Sequence, residues 1–321
     1  MTEISNASIP SSQMDAIARA AAILDQADAL LIHAGAGMGV DSGLPDYRGN
    51  EGFWGAYPPF QARGLSFVDL ANPAWFHRDP HLAWGFYGHR LNLYRNTTPH
   101  AGFSILKRWG DRMTRGCFVF TSNVDGQFQT AGFSEDQVCE VHGSLSSLQC
   151  LHECGVGLIS TRDLIVEVDP VDFQAREPLP TCPNCGGPTR PNVLMFGDFG
   201  WDSTRSDQQH ARLQTWLNQA TYTRGGLAIV ELGAGQAVPT VRRFSEHLAH
   251  SPNVTLIRIN LRESEITRNP QGRHLSLALG ARAALEAIDH ERDHPTSSDI
   301  SCVEMTKTLG RLDHQKTRRP S

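Results

Sequence analysis

Nowhere in this sequence does an uninterrupted apolar run approach the roughly 20 residues that a membrane-crossing helix needs. The opening MTEISNASIPSSQ has neither a positive n-region nor an apolar h-region, so no secretory signal is expected. Blocks of Lys or Arg are also missing. With 29 basic against 34 acidic side chains the net charge is only −5, which excludes a nucleic-acid stripe and a patch for anionic lipid. No segment repeats at the spacing of solenoids or propellers. A disulfide framework is excluded as well: the seven cysteines are odd in number, and four of them cluster between positions 150 and 185, a pattern that suits a metal. Cys117, Cys139 and Cys302 read as buried or incidental thiols. These absences describe a cytoplasmic protein with neither nucleic acid nor membrane as partner, and they leave its oligomeric state open.

What is present suits one large α/β domain with a smaller companion: 321 residues, 40% hydrophobic, with 29 Gly and 18 Pro. Ser11 or Ser12 can cap a first helix with Met14, Ile17, Ala21 and Leu24 on one face. Strand-length apolar runs follow at ALLIH (29–33), CFVFTS (117–122), NVLMF (192–196), LAIVEL (227–232) and VTLIRIN (254–260), each beside helix-forming sequence. That alternation predicts a doubly wound, mostly parallel sheet covered on both faces. Pro239 predicts the first turn of a helix through PTVRRFSEHLAH. From about residue 290 the apolar periodicity fades, so a tail or loosely docked extension is expected.

Directly after the first strand comes GAGMGVDSGLPDYRG, residues 35–49, with five glycines, two aspartates and an arginine. Gly35-x-Gly37 places bare backbone at the carboxyl edge of a sheet, where N–H groups can approach a pyrophosphate. A dehydrogenase fingerprint does not fit, because its third glycine would fall on Val40 and no acidic position is clear after a second strand. The proline-stiffened SGLPDYRG instead presents Asp46 and Arg48 beside the loop.

In these residues the chain resembles the sirtuins, the NAD-dependent protein deacylases, whose corresponding loop reads G-A-G-x-S-x-x-S-G-I-P-D-F-R. Four further blocks follow in the family's order: TSNVDGQF (121–128) is similar to T-Q-N-I-D-x-L-H, VHGS (141–144) to H-G-S, RPNVLMFGD (190–198) to R-P-x-V-x-x-F-G-E, and ELGAGQAVP (231–239) to G-T-S-L-x-V-x-P. The resemblance covers about residues 12–288. It implies a Rossmann-like NAD-binding domain at 12–144 and 191–288, including a helical and cofactor-loop segment at about 50–100. It also implies a small zinc module at 145–190 and loosely docked termini at 1–11 and 289–321.

The cysteines are spaced Cys150-x3-Cys154 and Cys182-x2-Cys185, two close pairs that let four thiolates converge on a tetrahedral, structural Zn2+. His152 could compete as a ligand, or face solvent. For chemistry, the resemblance assigns His142 as the base that takes a proton from a ribose hydroxyl, and Asn123 and Asp125 to the nicotinamide pocket. NAD would be held by Gly35, Ala36, Gly37, Asp46, Tyr47, Arg48, Ser122, Asn123, Asp125, Gly233, Ala234, Gly235 and Asn260. The acylated protein substrate would meet Val193, Met195, Phe196 and Gly197. Tyr87 and Arg90, i and i+3 on a predicted helix, match a pair that reads acidic acyl groups such as succinyl in one class of the family; the alternative is an aromatic helix with Arg90 solvated. The chain departs from the family at Gly39, Ser122, Gln127–Phe128 and Ala234–Gly235, all near NAD. ADP-ribosyl transfer, NAD hydrolysis and a catalytically silent NAD sensor are the alternatives to deacylation; His142 counts against the sensor and Ser122 for it.

Overall fold

The structure is a computed structural model that describes residues 9–46 and 49–294. Helix α1 (Ser11–Gln26) leads into strand β1 (Ala29–Ala34), all six residues of which are buried because strands flank it on both sides. Pro10, not a serine, precedes α1, and no side chain caps it. Its inner face is Ile17, Ala20, Ala21 and Leu24, while Met14 is half-exposed, so the predicted face is rotated by the fit of Ala20 against the sheet.

The chain then builds a helical lobe from α2 (Gly49–Ala56), α3 (Pro58–Ala62), α4 (Phe67–Leu70), α5 (Trp75–Arg78) and α6 (Pro80–Asn96). Helix α7 (Ala101–Arg112) returns it to β2 (Cys117–Thr121), and the short α8 (Gln127–Thr130) precedes β3 (Val138–Glu140). Strands β4 (Gly143–Cys150), β5 (Ile159–Ser160) and β6 (Thr189–Val193) form a separate antiparallel sheet in the order β5-β4-β6. After α9 (Thr204–Ala220) come β7 (Leu227–Leu232), α10 (Thr240–Leu248), β8 (Val254–Ile259), β9 (Leu275–Leu277) and α11 (Ala281–Asp293). The parallel sheet reads β3-β2-β1-β7-β8-β9.

Four of the five predicted strands lie in that sheet. The fifth, 192–196, does not: β6 ends at Val193 and contains Pro191, which lacks the N–H that a central strand must donate and is tolerated on this edge. Pro239 also sits one residue before α10 instead of inside its first turn. Helices α1, α7 and α11 cover one face of the sheet through Leu24, Leu106, Trp109 and Leu285. Helices α9 and α10 cover the other through Leu213, Leu217 and Val241. A third core joins the helical lobe to the antiparallel sheet through Phe53, Tyr57, Phe86, Leu145 and Val193.

Candidate active site

From β1 the chain moves outward to β2 and β3; it re-enters at β7 and moves the other way to β8 and β9. Strand order therefore reverses between β1 and β7, the place where open α/β sheets bind ligands beyond their carboxyl ends. Both glycine stretches open there. Gly35 N–H donates to the Leu232 carbonyl at 2.9 Å, and Gly37 N–H to the Gly233 carbonyl at 3.1 Å. A Cβ on Gly35 would lie 2.7 Å from Ala234 Cα, and one on Gly233, at φ +60°, 2.4 Å from Gly37 Cα. These glycines let two backbones cross. The Gly35 and Gly37 amides are engaged between the loops, so their expected reach toward a phosphate is corrected; Ala36 between them is the exposed residue.

Around this crossing the predicted residues converge. Asn123, after β2, donates from Nδ2 to the Gly35 carbonyl at 3.0 Å, and Ser122 N–H donates to Ala34 at 3.1 Å. Asp125 accepts from Gln127 N–H at 3.0 Å, and burial pushes its carboxyl up to about 6. Asn260, buried at the end of β8, donates to the Ala234 carbonyl at 3.0 Å and accepts from the Arg262 and Glu263 amides. His142, half-buried in the link between β3 and β4, has Nε2 at 3.3 Å from Thr240 Oγ1, and burial lowers its pKa below the ordinary imidazole value. A histidine so held is kept in its neutral form, with one ring nitrogen able to accept a proton. Asp46 is half-buried at the end of the first loop; Tyr47 and Arg48 lie outside the described residues.

The structure adds a carboxylate that the sequence reading passed over. Glu263 Oε2 accepts from Gln236 N–H at 3.0 Å, beside Gly235 in the second loop. An acidic residue just past the strand that follows a glycine loop is the signal that could have found it.

Tyr87 and Arg90 share the inner face of α6 and are both buried, which excludes a solvated Arg90. The Arg90 guanidinium lies 5.2–6.0 Å from the ring centroids of Phe67, Phe86, Tyr87 and Tyr94, and its Nε donates to Tyr94 Oη at 3.0 Å. Burial raises the Tyr87 phenol to about 12, and its hydroxyl has no partner among the described residues. Next to it the buried Arg190–Asp198 pair, bidentate at 2.7 and 2.9 Å, braces the turn that carries Val193, Met195, Phe196 and Gly197. Phe196 and Gly197 line an open cleft of about 350 Å³ with Val68, Trp75 and Arg78.

Away from this site the sulfur atoms of Cys150, Cys154, Cys182 and Cys185 all lie within 4.8 Å of one another, with closest pairs at 3.6 Å (Cys150–Cys185) and 3.5 Å (Cys154–Cys182). Tetrahedral zinc with Zn–S bonds near 2.3 Å implies S···S separations of about 3.8 Å, so the tetrad fits that ion. His152 is exposed, its Nδ1 4.0 Å from Cys185 Sγ, outside the set of four.

A profile of the Sir2 family matches residues 35–214, more than half of the chain. The chain belongs to the Sir2 family. Among curated relatives, the NAD-dependent protein deacylase of Aeropyrum pernix is 32% identical over 185 residues, 58% of this chain and 66% of that protein. A probable bifunctional ADP-ribose hydrolase/ADP-ribosyltransferase of Fusarium oxysporum f. sp. cubense is 28% identical over 255 residues, 74% of this chain and 41% of that one. The Sir2 chain thus spans less than two thirds of the length of either relative. A solved Sir2 homologue–NAD complex shares the fold, with a TM-score of 0.60 at 23% identity over 89% of this chain and 95% of the other.

Proposed function

We propose that this Sir2-family chain is an NAD-dependent protein-lysine deacylase that releases nicotinamide and O-acyl-ADP-ribose. One observation carries the reading. At the reversal of strand order, hydrogen bonds link Asn123 to Gly35, Gly37 to Gly233, Ala234 to Asn260, and His142 to the first residue of the helix that follows the second glycine loop. His142 and the two glycine loops are therefore tied together beyond the carboxyl end of the sheet, and Asp125, whose carboxyl burial raises, follows Asn123 in the same turn.

In this reading residues 12–144 and 191–288 hold NAD, and residues 145–190 hold structural zinc on the four cysteines; the loosely docked end expected from 289 begins later, because α11 runs to Asp293 and Asp289 binds Arg108 and Trp109 of α7. NAD supplies a sugar carbon that becomes electrophilic as nicotinamide leaves. Asn123 and Asp125 hold the nicotinamide amide and ribose. Gly35 to Gly37, Asp46 and Ser122 shape one side of the crevice; Gly233, Ala234, Gly235 and Asn260 shape the other, toward the adenosine. His142, kept neutral by burial, takes the proton from a ribose hydroxyl so that the oxygen can attack the acyl carbon. Val193, Met195, Phe196 and Gly197 present the substrate chain, and the buried pair Tyr87 and Arg90 selects an acidic acyl group of the succinyl type.

His142→Ala is expected to abolish acyl transfer while nicotinamide exchange with NAD persists, because glycosidic cleavage precedes proton removal. Undiminished deacylation in that variant would sink the mechanism. ADP-ribosyl transfer or NAD hydrolysis is the second reading, favoured by the name of the Fusarium relative, whose match covers 74% of this chain. Weighing the products separates the three: O-acyl-ADP-ribose, ADP-ribosylated protein or free ADP-ribose.

A further inference from the structure

We propose that Thr240 is the positioning residue of His142: its hydroxyl accepts from Nε2–H and holds the ring in the tautomer that leaves Nδ1 as the base. The catalytic meaning of this contact rests on the deacylase reading; the contact itself does not.

The backbone of His142 is clamped on both sides. Leu194 N–H donates to its carbonyl at 3.0 Å, and Gly143, at φ +76°, brings the next residue so close to β6 that a Cβ would lie 2.1 Å from the Asn192 carbonyl. The ring is not fixed by that backbone clamp, and among the described residues Thr240 Oγ1, at 3.3 Å, is its hydrogen-bond partner. Thr240 is well suited to stop that turning. It is the first residue of α10, and α10 is pinned to the sheet by polar contacts: Ser245 Oγ lies 2.6 Å from His33 Nδ1, Arg258 donates to Glu246 at 3.0 Å, and Arg242 donates to the carbonyls of Glu263 and Glu265. Its branched Cβ restricts χ1 further.

A neutral imidazole has one donor and one acceptor. With Nε2–H directed at the threonine oxygen, the lone pair sits on Nδ1, and the same bond persists when the ring becomes imidazolium. The contact therefore stabilises the charged form more than the neutral one, since hydrogen bonds to charged groups are the stronger. It opposes burial and the positive end of α10, which both disfavour the charge. The charged neighbours are otherwise engaged. Glu140 of β3 pairs with Arg205 of α9, and Arg242 of α10 is bound to backbone carbonyls.

The test is an NMR titration of the His142 ring protons in the full chain, assigned against His142→Asn, for the wild type, Thr240→Val and Thr240→Ser. Thr240→Val should lower the His142 pKa by about half to one pH unit, and Thr240→Ser should restore it. Acyl transfer at neutral pH should fall about five- to thirtyfold in the valine variant and recover with serine, while nicotinamide exchange stays at the wild-type rate. An unchanged or raised pKa in Thr240→Val would overturn the assignment, as would an equal loss of nicotinamide exchange. The expected titration in a chain that transfers no acyl group would leave the contact standing and remove the deacylase reading.

Discussion

Arg90 shows how much a single position gains meaning from its surroundings. A guanidinium inside a ring of four aromatic side chains is desolvated and keeps its charge, so an incoming carboxylate would meet it in a medium of low dielectric. The Tyr87 hydroxyl beside it, without a partner among the described residues, offers a second donor. If the pair reads the acyl group, the charged contact is worth about 1.5–3 kcal/mol, or roughly ten- to a hundredfold in kcat/KM for succinyl over acetyl peptide. Arg90→Met keeps much of the stem's packing and removes the charge. It should erase the succinyl preference while leaving acetyl turnover within a few-fold, measured on paired peptides. Equal loss on both substrates would make Arg90 a structural residue of the lobe.

Among the elements, the antiparallel sheet connects the cysteine tetrad to the segment that carries His142. Strand β4 begins one residue after His142 and ends on Cys150, and it pairs with β6 from Gly143–Val193 at one end to Cys150–Thr189 at the other. The cysteine tetrad thus stands at one end of a ladder whose opposite end fixes His142 and the turn after β6. The wild type should carry one equivalent of zinc and Cys182→Ser should lose it, since metal binding is folding free energy in so small a module. The substitution should open residues 150–190 to proteolysis and reduce acyl transfer although it lies outside the crevice. Metal analysis of the purified chain checks the first step, and a wild type without stoichiometric zinc would refute it.

On the scale of the whole molecule, a polar row crosses the sheet beneath α10. His33, Glu231 and Arg258 are in register on β1, β7 and β8 and are completely buried, with Arg258 bound to Glu231 at 2.5 and 3.1 Å. Full burial between Phe120 and Phe244 holds His33 down to about 3. The unfolded chain titrates at the ordinary imidazole value, so between about pH 6.5 and 3 it binds a proton that the folded chain refuses. The folded state is favoured above that window and loses stability as pH falls through it. His89, His100, His142 and His274 are lowered in the same direction. From pH 7 to pH 5 His33 alone should remove about 2 kcal/mol of stability. Urea unfolding at the two pH values should show His33→Gln losing that share of the drop, and an identical drop in both proteins would contradict it.

The order of motifs, the four central parallel strands, the cysteine tetrad and the identity of His142, Asn123 and Asp125 are local: each is written in a run of apolar residues or in a spacing of a few positions, and short-range sequence carries such information. Contacts between segments distant in the chain were decided only by the tertiary structure. It placed NVLMF partly in a second sheet, because pairing partners and not apolar content choose a strand's sheet. It turned Met14 outward and buried Arg90. It brought Thr240 to His142 across 98 positions and Glu263 to Gln236 across 27. It also gave the glycines their reason, since Gly35 and Gly233 are needed where two loops cross, and neither loop alone reveals that a Cβ there would fall within 3 Å of the other.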